Sequence, residues 1–430
     1  MSVLESVRRC LDASHSCYHA IAQAEKVLLE AGFSPLYEAE EWKLEEGKKY
    51  YVNRNGSSLI AFIVPSSSWK GVHIAASHSD SPTFKIKHNP VVNQSGELGI
   101  RVEKYGGMII STWFDRPLSF AGRVIAEKDG NIRPILFDID EDLAVIPNLC
   151  IHFSRDINDG HAYSPDSEII PLFGSADDSF DWKSYLEGKA DLKEGESIVD
   201  EDLFLYSRVP SSLVGKDKEY LCSARLDNLT SAFTSVLAIS EASSLSSLPI
   251  CAIFDNEEVG SFSYQGAGSD FLRVVLSRVM ACLGREFEEE AANSFMLSVD
   301  NAHARHPNYP GTFERTCDVK LNGGIVLKYN AALHYTTDAI SSSVVRLVAK
   351  KADVPVQTFS NRPDIRGGGT LGNISMTQLS IPTADIGLAQ LAMHSSYETM
   401  GVKDIDAMHR FIREFFESSI RYEREGVEVK

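Results

Sequence analysis

Apolar side chains recur at every third or fourth position over residues 2–32, a spacing that predicts one or two amphipathic helices. The stretch YYVNRNGSSLIAFIVP comes next and turns on Asn55-Gly56, a pair typical of β-hairpins. The following apolar run, GVHIAASHSDS, predicts a strand that ends at the polar residues His78 and Asp80. The chain therefore starts with helices and continues into strands.

A different pattern occupies the chain from about Lys87 to about Lys216. Short β-like runs such as MIISTWF, AGRVIAE and RPILFDI alternate with turn signals such as Asp129-Gly130, and a polar, acidic stretch follows. We therefore expect a β-rich domain inserted into another domain. The predicted boundaries are 88–216 for the inserted domain, and 1–87 together with 217–430 for the domain that surrounds it.

Helices and strands alternate from Tyr220 onward. The runs LDNLTSAFTSVLAISEA and DFLRVVLSRVMACLG have helical spacing, and PICAIFD, FMLSVD and IPTADIG are strand-like. A final helix is predicted near residues 402–424. This alternation is typical of an α/β fold, and we predict a largely parallel central sheet with helices on both faces.

Composition and charge restrict the possible partners. The 430 residues are 43% apolar and 24% charged, which is ordinary for a globular protein with a large core. A net charge of -18 argues against nucleic acids and anionic membranes, because both require a basic surface. The chain has no apolar stretch near the roughly 20 residues of a membrane span, and its seven cysteines form no C-x-x-C pair. We expect a cytoplasmic protein that binds neither nucleic acid nor membrane.

Residues suited to metal binding follow several of the predicted strands and open one helix. The carboxyl ends of strands in an open α/β sheet meet at one edge, so residues that are distant in the sequence can converge there. These residues are His78, Asp80, Glu257, Glu258, Asp300 and His394 after strands, and Asp227 at the start of a helix.

Two histidines and several carboxylates without thiolates suit Zn²⁺, with Co²⁺ or Mn²⁺ as alternatives. The set is too large for one tetrahedral ion and suits two ions about 3.5–4 Å apart that share a carboxylate and a water. Glu257 and Glu258 stand side by side after a buried strand, where repulsion and desolvation are costly. Cations would offset that cost if one glutamate binds metal and the other acts as a general base.

Each of these signals has an ordinary structural alternative. Adjacent glutamates are typical of a solvated surface, Asp227 suits the N-cap of a helix, Asp300 suits a loop cap, and His394 suits a packed or exposed histidine. The residues alone leave both interpretations open, and only the shared position at strand ends favours a metal site.

The segment RGGGTLG contains G-x-G-x-x-G at Gly367, Gly369 and Gly372. A dinucleotide site is disfavoured because a strand does not clearly precede the glycines, as that fingerprint requires. The glycines suit a close approach of the backbone to substrate or to a neighbouring strand, with a helix starting at TLGNISM.

Six segments together resemble the signature segments of the aspartyl aminopeptidase family of di-zinc metallo-aminopeptidases. They occur in the order found in that family and span nearly the whole chain, and the inserted β-rich domain is also similar. The segments are SHSDSP, SARLDNL, FDNEEVGS, VDNAHARHPNY, RGGGTLG and LAMHSSYE.

The resemblance implies two zinc ions per subunit. Asp227 would bridge the ions, Glu257 would be the general base, and Asp80 would orient His78 through its other ring nitrogen. The implied ligands are His78, Asp227 and Asp300 for one ion, and Asp227, Glu258 and His394 for the other.

The resemblance also implies a role for the inserted domain in dimerisation. His152, in IPNLCIHFSR, matches a histidine that crosses the dimer interface and stabilises the oxyanion in the neighbouring site. The residues alone favour a buried histidine in a strand. Members of this family usually assemble as dimers built into a tetrahedral dodecamer, and we expect a homo-oligomer of that kind.

Four further residues bear on substrate choice. Lys328 matches a lysine of the substrate pocket, where it would face an acidic side chain, although a lysine at a strand edge is an equal alternative. His306 and Tyr309 match pocket-wall residues. His334 stands where many relatives have an arginine, which leaves a neutral preference open.

The predicted function is removal of N-terminal residues, with Asp or Glu expected, from small peptides by two-zinc water activation. A di-zinc deacylase or carboxypeptidase would use the same site, and a broad or neutral aminopeptidase remains an alternative. A non-enzymatic shell is a third possibility that the complete ligand set disfavours.

Overall fold

The computed structural model describes residues 1–66, 68–365 and 367–430. The first elements agree with the apolar spacing of the sequence: Ser2 and Ser16 cap the two helices, and a hairpin turns at Asn55 and Gly56. Both turn residues have positive φ, 60° and 71°. The elements are α1 (Val3–Asp12), α2 (Cys17–Glu30), β1 (Phe33–Leu36), β2 (Lys49–Arg54), β3 (Ser58–Ile63) and β4 (Val72–His78).

Residues 83–207, hereafter the inserted segment, form a separate antiparallel sheet in the order β8-β7-β10-β5-β6-β9. This sheet has its own apolar core, which includes Phe84, Trp113 and Phe120. The domain boundaries at 88 and 216 stay a prediction. The elements are β5 (Thr83–Gln94), β6 (Glu97–Tyr105), β7 (Leu118–Lys128), β8 (Asn131–Asp138), β9 (Leu172–Ser175), α3 (Trp182–Lys189) and β10 (Ser197–Ser207).

The rest of the chain alternates helices and strands. The last helix ends at Glu417 rather than near residue 424, because the residues that follow pair as a terminal hairpin. The elements are β11 (Ser212–Val214), β12 (Tyr220–Ser223), α4 (Leu226–Glu241), β13 (Leu248–Phe254), α5 (Phe271–Cys282), α6 (Phe287–Ala291), β14 (Phe295–Val299), β15 (Ala302–His303), β16 (Ile325–Tyr329), α7 (Ala339–Lys351), β17 (Val356–Ser360), α8 (Leu371–Leu379), β18 (Thr383–Gly387), β19 (Ala389–Leu391), β20 (Glu398–Gly401), α9 (Val402–Glu417), β21 (Ile420–Glu423) and β22 (Gly426–Val429).

Among the described residues, nine strands form the central sheet, in the order β1-β2-β3-β13-β4-β14-β18-β16-β17. The four middle strands, β13, β4, β14 and β18, are mutually parallel. In β4, Ile74 and Ala76 face one apolar cluster with α5, and Ala75 faces another with α4 and α9. The predicted α/β fold with a largely parallel core and helices on both faces is confirmed.

Within the ranges described above, the chain has no helix that is both long and apolar enough to cross a lipid bilayer. A smaller sheet, in the order β11-β12-β20-β19-β15, lies beside the central sheet. The turn between its strands β19 and β20 carries His394.

Candidate metal centre

Three adjacent parallel strands deliver residues to one edge of the central sheet. β4 ends at His78, Glu257 and Glu258 follow β13, and Asp300 follows β14. Because the order in the sheet is β13-β4-β14, the three carboxyl ends lie side by side. This is the convergence predicted from the apolar runs.

Glu398 fixes the other two predicted ligands. One carboxylate oxygen accepts a hydrogen bond from the Asp227 backbone N–H at 3.0 Å, and the other accepts from the His394 backbone N–H at 2.7 Å. Asp227 leaves helical geometry (φ −81°, ψ 110°) at the start of α4, and His394 has φ 66°. Glu398 is not among the residues predicted from the sequence, although it is the last residue of the quoted segment LAMHSSYE.

Two groups of ligand atoms share one carboxylate. The Nε2 atom of His78 lies 3.7 Å from Oδ1 of Asp227 and 3.6 Å from Oδ1 of Asp300. The Nε2 atom of His394 lies 3.4 Å from Oδ2 of Asp227 and 3.4 Å from Oε1 of Glu258. Asp227 therefore contributes one oxygen to each group.

These separations fit metal ions better than direct ion pairs. Tetrahedral zinc with bonds of about 2.1 Å separates its ligand atoms by about 3.4 Å, close to the observed values. Asp227 is 4% exposed, yet its Oδ1 atom has no hydrogen-bond partner among the described residues. A buried carboxylate oxygen without a donor is costly unless a cation neutralises it, so the residues present fit a metal centre.

The electrostatics of the candidate ligand groups also favour bound cations. Burial raises the pKa of Glu257 to about 8, and the charges of nearby carboxylates add to the rise. Burial opposes any rise in the pKa of His394, yet contact with Asp227 and the charge of Glu258 raise it to about 10. Glu257 and the His394 imidazole therefore retain protons, and divalent cations would take the place of these protons.

Asp80 orients both His78 and the glutamate pair. The Nδ1–H of His78 donates to the backbone carbonyl of Asp80 at 3.0 Å, which leaves Nε2 free as a ligand atom. The Asp80 carboxylate accepts hydrogen bonds from the backbone N–H groups of Glu257 and Glu258, both at 3.1 Å. It also accepts from the Tyr105 hydroxyl at 2.7 Å, a contact that the sequence does not predict.

The predicted pocket residues take different positions. Lys328 is fully buried, and its Nζ donates to the carbonyls of Asp300 at 2.8 Å and Asn301 at 3.2 Å. The rings of His306 and Tyr309 contact each other, with centroids 4.9 Å apart. Both lie outside the ligand groups, as does His334, whose Nδ1 is 3.9 Å from where a Cβ would lie at Gly369.

His152 lies on an exposed loop between β8 and β9, not in a buried strand. Its apolar neighbours are also exposed: Leu149 by 60%, Ile151 by 49% and Phe153 by 81%. His152 does not belong to a ligand group formed by residues 1–66, 68–365 and 367–430.

The RGGGTLG segment provides a close approach to a strand. A Cβ at Gly372 would lie 2.6 Å from the Cβ of Ser298 in β14, so only glycine lets α8 pack there. Arg366, the first residue of this segment, lies outside the described residues.

Comparison with known proteins agrees with this geometry. The family described as "Aminopeptidase I zinc metalloprotease (M18)" matches residues 10–416. The chain belongs to the M18 family. It is therefore a zinc aminopeptidase, a hydrolase that acts on peptide bonds, and the resemblance to aspartyl aminopeptidases is confirmed because M18 includes them.

Relatives of this M18 aminopeptidase match over nearly their full length. A probable M18 family aminopeptidase 2 of Clostridium novyi is 40% identical over 94% of this chain and 96% of its own. A probable M18 family aminopeptidase 2 of Stutzerimonas stutzeri is 36% identical over 95% of this chain and 96% of its own.

Solved structures have the same fold as this M18 aminopeptidase. Ape4, in a complex with Nbr1, superposes with a TM-score of 0.92 at 35% identity, over 96% of this chain and 85% of that one. The S. cerevisiae mApe1 dodecamer superposes with a TM-score of 0.82 at 27% identity, over 97% of this chain and 96% of that one.

Proposed function

We propose that this M18 aminopeptidase removes N-terminal Asp or Glu residues from small peptides, using two zinc ions per subunit. The observation that carries this proposal is the division of the two Asp227 oxygens between two ligand groups. A carboxylate in that position suits a bridge between two cations. The proposed ligands are His78, Asp227 and Asp300 for one ion, and Asp227, Glu258 and His394 for the other.

When bound, the two ions would supply Lewis acidity toward the scissile carbonyl, a lowered pKa for one water and a site for the neutral α-amine. The protein supplies the proton transfer. A carboxylate oxygen of Glu257 lies within 4.8 Å of ligand atoms of His78 and Glu258, and Asp80 fixes its backbone. We assign to the Glu257 carboxylate the removal of a proton from the attacking water and its delivery to the leaving amine.

The acidic preference rests on Lys328. Burial opposes the charged form, yet the charge of Asp300 raises the pKa of this lysine above its usual value, which keeps it a cation. An ammonium has three donors, and two of them reach the backbone carbonyls of Asp300 and Asn301. The third would be available to an acidic side chain. Many relatives have an arginine at the position of His334. Because of this difference, a preference for neutral N-terminal residues is the alternative.

We also propose that His152 acts in the site of a neighbouring subunit. The exposed apolar side chains around it, Leu149, Ile151 and Phe153, suit burial against a second copy of the chain. The dodecamer formed by S. cerevisiae mApe1 supports a homo-oligomer, which we propose to be dimers assembled into a tetrahedral dodecamer. The seven cysteines are unpaired, which suits the cytoplasm as the location.

The substrate assignment is tested with a panel of aminoacyl reporter substrates and peptides. We expect kcat/KM for Asp and Glu to exceed that for Leu and Ala at least about tenfold, a difference of about 1.4 kcal/mol in transition-state binding. N-acetylated peptides should resist cleavage. Equal cleavage of acetylated and free peptides would favour a deacylase, and a Leu or Ala preference would favour a neutral aminopeptidase. Elemental analysis should find two zinc ions per chain.

The role of His152 is tested by mixing two inactive variants. His152→Gln and Glu257→Gln chains, co-expressed with different tags, should form mixed assemblies. When the two variants pair, the site of the His152→Gln chain combines its own wild-type Glu257 with the wild-type His152 of its neighbour. About a quarter of the sites in a random equal mixture of dimers should then be active. Mixed assemblies as inactive as either variant alone would contradict the role in the neighbouring site.

A further inference from the structure

One part of the inserted segment, Tyr105–Thr112, contacts residues of the metal centre and is hereafter the 105–112 segment. Its position follows from strand register. β5 begins at Thr83, three residues after Asp80, and Tyr105 at the end of β6 pairs with Thr83. The antiparallel return of the chain therefore brings Tyr105 back beside Asp80.

The Tyr105 hydroxyl is fixed by two polar partners. The Nδ2 group of Asn256 donates to it at 2.9 Å, and an amide NH₂ group can only donate. The hydroxyl must therefore donate its own proton to Oδ2 of Asp80, which lies 2.7 Å away. The Tyr105 ring packs edge-to-face against Phe204 of the inserted segment, with centroids 5.7 Å apart.

The same segment holds the proposed ligand of the second ion. The Nδ1–H of His394 donates to the carbonyl of Gly107 at 2.6 Å, and the Ile109 N–H donates to the carbonyl of His394 at 3.0 Å. The first bond places the ring proton on Nδ1 and leaves Nε2 facing Asp227 and Glu258.

The backbone of the segment also packs directly on a proposed ligand. Gly106 has φ 76°, and a Cβ built there would lie 3.1 Å from the Cβ of Glu258 and 3.4 Å from its carbonyl oxygen. Gly130, in the turn between β7 and β8, has a similar φ of 78°, and a Cβ built there would meet no described residue within 4 Å. The two glycines therefore share a left-handed backbone and differ in what a methyl group would disturb.

We propose that the 105–112 segment is a positioning element of the metal centre, with Tyr105 holding Asp80 and the Gly107 carbonyl holding His394. This inference rests on the ligand assignment of the proposed function. The inserted segment then has a role within its own subunit, because it fixes Asp80, which orients the ligand His78, and it fixes His394, a proposed ligand of the second ion. Tyr105 acts through Asp80 and is a positioning residue.

The first test is Tyr105→Phe, which removes only the hydroxyl. Loss of a group that orients a metal ligand costs about 10–100-fold in metal affinity or activity. We expect kcat to fall about tenfold or more while KM changes less than about twofold, because both hydrogen-bond partners of the hydroxyl are protein groups, Asp80 and Asn256. Zinc affinity, measured by chelator competition, should weaken, and the visible spectrum of the Co²⁺-loaded protein should shift.

The matched control is Tyr206→Phe. Tyr206 is a buried tyrosine of the inserted segment, and its hydroxyl donates to Asp138 at 2.9 Å. We expect this variant to lose a comparable hydrogen bond and to keep wild-type zinc affinity, Co²⁺ spectrum and kcat. If Tyr105→Phe matches Tyr206→Phe in all three measurements, the inference is overturned.

The second test compares Gly106→Ala with Gly130→Ala. Both substitutions strain a left-handed backbone, so their difference reports the contact with Glu258. We expect Gly106→Ala to weaken zinc binding and lower kcat, since its methyl group displaces Glu258 or the segment, and we expect Gly130→Ala to keep wild-type zinc affinity and kcat. Equal zinc affinities for the two folded variants would overturn the inference, and this pair decides the question if Tyr105→Phe does not fold.

Failure of the ligand assignment would look different. Wild-type protein that binds fewer than two zinc ions would contradict the proposed function, whatever Tyr105→Phe does. Wild-type protein with two zinc ions and an unchanged Tyr105→Phe variant would contradict only the role of the 105–112 segment.

Discussion

Asp227 and Asp385 are both buried carboxylates of the same α/β region, 4% and 0% exposed, but their surroundings differ. Asp385 accepts hydrogen bonds from the backbone N–H and the hydroxyl of Thr336, both at 2.6 Å, and from the Thr370 hydroxyl. Asp227 leaves one oxygen without a donor in the part of the chain that the structure describes, and it faces two histidine nitrogens at 3.4–3.7 Å.

The difference separates a structural carboxylate from one that suits a cation. Around Asp385, every contact has hydrogen-bond length, and the carboxylate joins the loops that carry Thr336 and Thr370. Around Asp227, the neighbours are metal-ligand types at the separation expected across a shared ion. Burial and charge alone do not distinguish the two residues, whereas the length and type of their contacts do.

The largest expected effect comes from Asp227→Asn. The substitution keeps the shape and removes the shared negative charge, so we expect loss of bound zinc and a fall in kcat/KM of about 10⁴-fold or more. Asp385→Asn should instead lower the free energy of unfolding by about 1–3 kcal/mol and keep zinc and kcat in the folded protein. Elemental analysis and peptide hydrolysis check both variants. Zinc loss in Asp385→Asn equal to that in Asp227→Asn would remove the distinction.

Glu257→Gln should separate catalysis from metal binding. We expect both zinc ions to stay bound and kcat to fall about 10²–10⁴-fold, the usual contribution of a general base. The adjacent Glu258→Gln should lose zinc as well as activity, because it removes a proposed ligand. A Glu257→Gln variant with full turnover would contradict the assigned role.

Removal of zinc should destabilise the folded protein. A ligand at about a thousand times its Kd stabilises the native state by about 4 kcal/mol, so chelation should lower Tm measurably in thermal unfolding. Asp385→Asn should show the same zinc-dependent rise in Tm as wild type. Asp227→Asn should show none, and an undiminished rise in that variant would mean that zinc binds elsewhere.

Gly372→Ala should have the smallest effect, confined to stability. Its methyl group would lie 3.1 Å from Oδ1 of Asp385 and closer to Ser298, so we expect a loss of about 1–3 kcal/mol in the free energy of unfolding. Gly368→Ala, where a Cβ meets none of the described residues within 4 Å, is the control. Denaturant unfolding distinguishes them, and equal stabilities would show that α8 has room to shift.

Much of the fold, and the convergence of the candidate ligands at one edge of the sheet, is predictable from the sequence, because both follow from apolar periodicity. His78, Glu257 and Asp300 each follow an apolar run, and parallel strands bring such positions together. Other contacts are not predictable in this way. Tyr105 reaches Asp80 only through the pairing of β5 with β6, a non-local register that residue spacing does not encode. Lys328 is predicted from the family resemblance alone, with a strand-edge lysine as an equal alternative, and its contacts with backbone carbonyls depend on the tertiary structure.

The pairing of Thr83 with Tyr105 constrains how the inserted segment can diverge during evolution. The turn at Asp129-Gly130, between β7 and β8, is exposed, so insertions there would leave the active site intact. A single deletion within β6 would instead turn the side chain opposite Thr83 to the other face of the sheet, since side chains alternate along a strand. Among related sequences, insertions and deletions in the inserted segment should therefore occur at the turn between β7 and β8 and be selected against near Asp80.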